Sequence, residues 1–318
     1  MPYSETRELI QVGEMLHASV PGPGAAMRQL QQMGEGRFDQ PSEALNQLEQ
    51  LLGSQAEQGA AYLDVNLDAL SDPDALGLMR GFVRLVHRCG KGVPPCVDSS
   101  DARVLEAGLG QWFELGEGLR PPLLNSIPFA DREKLSYLLD LRSSHDFSLV
   151  CLLVGKQGPM GSADEMVAAA ETMFDLATGA GFRPDQLFFD TATLGICTDG
   201  CIDPAGNLKP SHTHSCFNAI RLIRQSPKMS AVRILLGVSN WGYGVRRRRV
   251  GHIRAFVAAA QTRGLDAAIA DVSLGLGKKP AAAELVELVE LFASLDGSED
   301  CMDRYAAAIG QARENELF

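Results

Sequence analysis

The sequence predicts an α/β fold, a single (β/α)8 barrel with an extra C-terminal helix, and three observations predict it. Short apolar runs rich in β-branched and aromatic residues alternate with amphipathic stretches of helical period along nearly the whole chain. Eight such β-then-α units follow one another; strict alternation implies parallel strands, and eight is the number that closes a barrel. The competing open, doubly wound sheet usually carries GxGxxG after its first strand, where this chain reads GEMLHASVPGPG.

The units come in order. LIQVGEM (9–15) precedes the helical pattern PSEALNQLEQLLGSQAEQGA, and AYLDVNL (61–67) precedes PDALGLMRGFVRLVHRCG. VPPCVDSS (93–100) leads to DARVLEAGL, PLLNSI (122–127) to DREKLSYLLDLRSS, and SLVCLLVG (148–155) to ADEMVAAAETMFDLATGAG. QLFFDTA (186–192) is followed by a long Pro- and Gly-bearing loop at 194–211 and then SCFNAIRLIRQ. RILLGVSN (233–240) and AAIADVS (267–273) precede RRRVGHIRAFVAAAQTRG and AAAELVELVELFASL. Several helical patterns begin after Ser or Asp and stop at Gly, the usual capping asymmetry. SEDCMDRYAAAIGQAREN reads as the extra helix, about 298–316, after a barrel of about 9–297. No low-complexity linker divides the chain, so one domain over 1–318 is expected.

With 45% hydrophobic and 22% charged residues the chain can bury a full core and shows no excess of charge. A net charge of −11 argues against nucleic-acid binding, which needs a basic face for phosphates. The opening residues lack a basic segment followed by an apolar one, so no secretory signal is expected. The apolar runs fall well short of the ~20 residues that span a bilayer. Seven dispersed cysteines fit reduced thiols, and a cytoplasmic protein is expected.

The strand ends are polar. Glu14, Asp64 with Asn66, Asp98, Asn125, Asp190, Asn240 and Asp271 each close an apolar run, and in a barrel such ends converge on one mouth. Any one alone reads as a helix cap or Asx-turn; convergence of seven ends points to a site. The set holds carboxylates and amides with no histidine, and no strand end carries the H-x-H pair expected of a metal-dependent hydrolase. A pterin presents adjacent N–H donors beside a carbonyl and ring nitrogens. Ionised Asp accepts both donors, and Asn can donate and accept.

With these residues in hand, the chain resembles the methyltetrahydrofolate:corrinoid methyltransferases, a branch of the pterin-binding barrels that also includes dihydropteroate synthase. VGEML at 12–16 is similar to the family's opening IGERI, GAAYLDVN at 59–66 to its GAD-x-LDVN strand, and CVDSSDARVLEAGL at 96–109 to its DSSN-x-x-x-LEAGL. LLNSI before DREKL, FFD at 188–190, LLGVSNWGYGVRRR at 235–248 and IAD at 269–271 continue the match in order. The resemblance implies transfer of the N5 methyl group between methyltetrahydrofolate, or a related tetrahydropterin, and the cobalt of a corrinoid (cobalamin) carried by a partner protein. It implies no metal bound by this chain, and a homodimer. Asp98, Asn125 and Asp190 would bind the pyrimidine edge, with Asp64 and Asn66 lining the same floor and Asp271 shaping the site from strand 8. Asn240 would be the catalytic residue near N5, which must gain a proton before or during loss of its methyl group. Arg248 would contact the folate tail or an acidic partner surface. The chain departs from the family with His17 in place of an Asn, with Thr191 after Asp190 in place of Pro, and with a longer loop after strand 6.

Other readings stand beside this one. Cys197, Cys201, His212, His214 and Cys216 could hold zinc, but their spacing matches no known finger and a partner-facing loop is the alternative. The arginines 246–249 and GLGKKP follow strands 7 and 8, where barrels often hold phosphate, which would suit dihydropteroate synthase and its pterin diphosphate. That enzyme typically carries Ser-Arg-Lys on its seventh strand, where this chain has Ser239, Asn240 and Trp241. His17 is read as structural or as an acid–base group, and Trp241 and Tyr243 as a cover over the ligand or as loop packing. A non-catalytic pterin-binding or scaffold subunit is the remaining alternative.

Overall fold

The alternation of apolar and polar residues resolves into eight parallel strands in a computed structural model describing residues 8–70, 74–203 and 205–314. They are β1 (Ile10–His17), β2 (Tyr62–Asn66), β3 (Pro95–Asp98) and β4 (Leu123–Pro128). β5 (Ser148–Leu152), β6 (Leu187–Asp190), β7 (Arg233–Leu236) and β8 (Ala267–Ala270) complete the set. Each pairs with the next, and Ile10 of β1 stands opposite Ala267 of β8, which closes the barrel.

Helices cover the outside. α1 (Pro21–Met33) and α2 (Glu43–Glu57) follow β1; α3 (Ala75–Cys89), α4 (Ala102–Glu114) and α5 (Arg132–Asp140) follow β2, β3 and β4. α6 (Ala163–Gly179) comes after β5 and a small hairpin pairing Val154–Gly155 with Gly158–Pro159. α7 (His212–Gln225), α8 (Arg249–Gln261) and α9 (Ala283–Ser294) follow the last three strands. α10 (Cys301–Glu314) is the extra C-terminal helix; residues 315–316 of its expected span lie outside the described residues. The caps are as the sequence suggests: Ser42 accepts Leu45 N–H at 3.1 Å, and Ser162 with Glu165 forms a full capping box.

Side chains of Val12, Cys96, Leu123, Val150, Phe188, Leu235, Ala267 and Ile269 fill the barrel interior, with Tyr62 meeting Phe188 edge-on. A second, larger apolar cluster lies between the strands and the helices. At the N-terminal end of the barrel Arg224 of α7 and Asp266, the residue before β8, form a buried ion pair.

Three local features differ from the sequence expectation. α1 precedes the first expected helical pattern, PSEALNQLEQ; Pro21 fits the first helical position and Ala26, Met27 and Leu30 are buried. Gly24 permits this turn, since a Cβ there would stand 2.2 Å from the Ala18 carbonyl oxygen. The last two strands are also shorter than read. β7 ends at Leu236 and a 3-10 turn, Val238–Gly242, carries Asn240; β8 ends at Ala270, and Asp271 caps a second turn, Val272–Leu274. HTHSC, read as part of the loop after β6, is the first turn of α7.

Candidate active site at the barrel mouth

Because side chains alternate along a strand, the interior positions predict which polar residues point inward above them. Tyr62 inward puts Asp64 and Asn66 inward; Cys96 does so for Asp98, Leu123 for Asn125, and Phe188 for Asp190. The registers then align them. His17 stands opposite Asn66, Asn66 opposite Asp98, and Asp98 opposite Asn125. Asp190 pairs with Leu152 of β5. Asp64 is opposite Cys96, one two-residue step (about 6.5 Å) deeper.

This floor is short of partners. Asp190 accepts Ala192 N–H at 2.7 Å on one oxygen, and its burial pushes the carboxyl up to about 7. Burial likewise pushes Asp98 up to about 7; Asp68 and Glu14 add to the rise, while a hydrogen bond from Asn66 and the charge of Lys134 oppose it. Asp64 is 1% exposed and neither of its oxygens meets the geometry of a hydrogen bond. Its carboxyl lies well above the usual range through burial first and then the nearby Asp98 and Glu14, opposed only by the weak Cys96 thiol. Asn66 Oδ1 is used locally, accepting Asp68 N–H at 3.0 Å.

The β7–β8–β1 side of the mouth is an open cleft of about 700 Å³, lined among others by Glu14, His17, Asn240, Tyr243, Arg249 and Asp271. Burial raises the Glu14 carboxyl, with a Ser239 hydrogen bond and the Arg249 charge opposing. His17 Nδ1 accepts Ser19 N–H at 3.2 Å, and burial lowers its pKa against the pull of Asp68. Asp271 is committed as a cap: Ser273 N–H, Ser273 Oγ–H and Gln55 Nε2–H donate to it at 2.9, 2.7 and 2.8 Å.

Arg248 takes a left-handed conformation (φ 56°) just before α8 and pairs with Glu284 at 2.5 Å, outside the cleft lining; Arg249 lines it instead. Trp241 is fully buried, stacked on Phe256 at 4.7 Å, and packs the loop, whereas Tyr243 is 73% exposed at the cleft. The Cys/His residues disperse to separate partners. His212 Nε2 lies 3.1 Å from Ala192 O, His214 Nδ1 2.8 Å from Ala293 O, and Cys216 Sγ 2.7 Å from Thr191 Oγ1; Cys197 is exposed. Among the described residues no cluster of three or more His, Cys, Asp or Glu is placed to hold a metal ion. Likewise none of the described helices is long and apolar enough to cross a membrane.

Sequence reasoning overlooked Lys134. It is buried on α5 and donates to the Ser99 and Ser100 carbonyls at 2.8 and 3.1 Å, and its charge bears on Asp98. Its signal was a lysine directly beside the core position Leu135 on a helix starting at β4.

A parallel barrel whose strand ends carry inward carboxylates and amides presents a mouth rich in hydrogen-bond acceptors. A family model described as pterin binding enzyme matches residues 31–271, and the chain belongs to this family. In fold it is similar to dihydropteroate synthase of Xanthomonas albilineans in complex with 7,8-dihydropteroate, with 18% identity, 85% of this chain and 90% of that chain covered, and a TM-score of 0.53. Dihydropteroate synthase of Yersinia pestis in a sulfonamide drug complex gives 12% identity, coverage of 90% and 93%, and a TM-score of 0.54. The enzyme of Coxiella burnetii with pteroic acid gives 11%, 91% and 94%, and 0.51.

Proposed function

We propose that the protein is a methyltransferase that moves the N5 methyl group between methyltetrahydrofolate, or a related tetrahydropterin, and the cobalt of a corrinoid carried by a partner protein. The observation that carries this reading is the neutral amide of Asn240, exposed on the turn after β7 at the cleft, where a pterin-diphosphate enzyme is expected to place a cation. Asp98, Asn125 and Asp190 take the N–H edge of the ring, and Asn240 faces N5. When the bond between N5 and the methyl carbon breaks, its electron pair stays on nitrogen, which must be protonated to leave. An amide follows that change by donating to the free amine or accepting from the protonated one. Glu14 lines the same cleft with a carboxyl raised by burial, which suits it to deliver that proton. Arg248 reaches a folate tail only by exchanging its Glu284 partner, so Arg249 takes that part. The resemblance also carries a homodimer, testable by light scattering.

The test is anaerobic calorimetry of methyltetrahydrofolate with the wild type and with Asp190→Asn, paired with methyl transfer to reduced cobalamin. Asp190→Asn should weaken binding, and Asn240→Ala should slow transfer on the order of 100-fold, the usual cost of one group aimed at developing charge. A wild type that binds no methyltetrahydrofolate sinks the folate reading. A second reading, dihydropteroate synthesis, is favoured by Arg249 at the cleft, a cation able to hold a diphosphate. Formation of dihydropteroate from a pterin diphosphate and 4-aminobenzoic acid would establish it instead.

A further inference from the structure

Asp64 is a carboxyl set in an apolar layer. It stands opposite Cys96, which in turn stands opposite Leu123, and both neighbours belong to the barrel interior. The polar level of Asn66, Asp98 and Asn125 begins one step above it. Beyond the weak Cys96 thiol, neither oxygen has a hydrogen-bond partner among the described residues, although the residue is almost wholly buried. The groups bearing on it are Asp98 and Cys96 from β3 and Glu14 from β1; none is a cation, and the thiol is the one weak donor. An ionised carboxylate in such a place would lack both donors and a counter-charge, which is too costly to hold. An un-ionised acid fits better, but its O–H still needs an acceptor, and among the described residues none receives it.

We propose that Asp64 contacts the bound pterin directly as an un-ionised acid, donating its O–H from beneath to a carbonyl oxygen or unprotonated nitrogen of the ring. This deepens the pterin reading and rests on it. The carboxyls of the mouth then divide into acceptors and a donor. Asp98 and Asp190 accept from the ring's N–H edge, and Asp64 supplies the donor that an acceptor atom requires. A ring with donors alone would leave Asp64 unsatisfied, so the residue selects for ligands that carry both kinds of atom.

Two measurements test this on the full chain. Difference infrared spectroscopy of the free protein, wild type against Asp64→Asn near neutral pH, should show a protonated carboxylic-acid carbonyl band that the variant lacks. Its absence from the wild type overturns the proposal whatever the ligand turns out to be. Calorimetry with methyltetrahydrofolate supplies the second arm. Asp64→Asn, which keeps a donor in the same shape, should bind within about threefold of wild type, and Asp64→Leu, which has none, should bind at least about tenfold more weakly. Asp64→Leu removes an unsatisfied buried acid, so its melting temperature should equal or exceed that of wild type. Asp64→Ser, smaller and still a donor, stands in should leucine not fit; it should keep more binding than Asp64→Ala. Equal losses in Asn and Leu would make Asp64 an ionised acceptor and overturn the proposal, as would a leucine variant that binds like wild type. If the wild type binds no methyltetrahydrofolate, the folate reading fails and the infrared band alone decides the state of Asp64.

Discussion

Asp266 and Asp64 are both buried, at opposite ends of one barrel, and their surroundings differ in kind. At the N-terminal end Asp266 has the Arg224 guanidinium and accepts Ile234 N–H at 2.8 Å, while Arg224 also donates to Gly264 and Val232 carbonyls at 2.9 and 2.6 Å. At the C-terminal end Asp64 has no donor among the described residues beyond the weak Cys96 thiol, and Asp98 and Asp190 are held up at about 7 by burial. A buried carboxylate with its donors in place holds its geometry, whereas a buried carboxyl without them costs stability. On the proposed function the two ends would divide labour as barrels commonly do, stability below and chemistry above.

The largest effect should come from breaking the satisfied end. Asp266→Ala strands the Arg224 guanidinium and should cost about 3–5 kcal/mol, a fall in Tm of roughly 10 °C. Chemical unfolding measures it, and a loss below about 1 kcal/mol would contradict the assignment of this pair as a stability element.

The opposite sign is expected at the mouth. The folded pKa of Asp190, about 7, lies above its ordinary 3.8, so the native state holds a proton that the unfolded chain gives up. Stability then falls as pH rises through the window between about 4 and 7 and stays lowered above it. Asp190→Asn removes that fall and should stabilise the free protein on the order of 1–3 kcal/mol at about pH 8, with much less gain at about pH 5. Urea unfolding at both pH values decides; an equal difference at both would show that the carboxyl does not titrate in this window.

How far this was legible in the sequence follows from the same contrast. Asp98, Asn125 and Asp190 end apolar runs, and period-two alternation carries their inward direction straight from residue order. Asp271 ends an apolar run in the same way, yet Gln55 from α2 and its own Ser273 occupy it. Ser273, two residues on, is a local mark that Asp64 lacks, but the Gln55 partner lies more than two hundred residues away and leaves none beside the aspartate. Trp241 was ambiguous for the same reason: its burial depends on Phe256 and Phe292, which stack on and abut it from α8 and α9.

Ligand binding should sharpen the contrast at moderate size. An N–H-donating edge binds ionised Asp98 and Asp190, so affinity for methyltetrahydrofolate should rise with pH through about 7 and level off above it. Below that, each carboxyl that must lose its proton weakens binding by up to about tenfold per pH unit. Asp98→Asn should bind more weakly above the midpoint and show a shallower slope below it. Calorimetry across the range gives the profile; a flat wild-type curve would mean that neither carboxyl meets the ligand in ionised form.

The smallest effect distinguishes two adjacent arginines. A run of four cations cannot indicate which one faces the cleft, since consecutive helical residues point about 100° apart. After the left-handed Arg248, α8 starts at Arg249, which lines the cleft and donates to the Ser239 carbonyl at 3.3 Å, while Arg248 pairs with Glu284. Arg249→Ala removes the cation that opposes the burial of Glu14, so it should weaken methyltetrahydrofolate binding about three- to tenfold and raise the Glu14 pKa further. Arg248→Ala loses only an exposed ion pair and should leave both affinity and Tm within error, as such surface pairs generally do. The reverse pattern, Arg248→Ala weakening binding and Arg249→Ala leaving it intact, would mean that the ligand draws Arg248 off Glu284 and that the β7–α8 turn rearranges when the site fills.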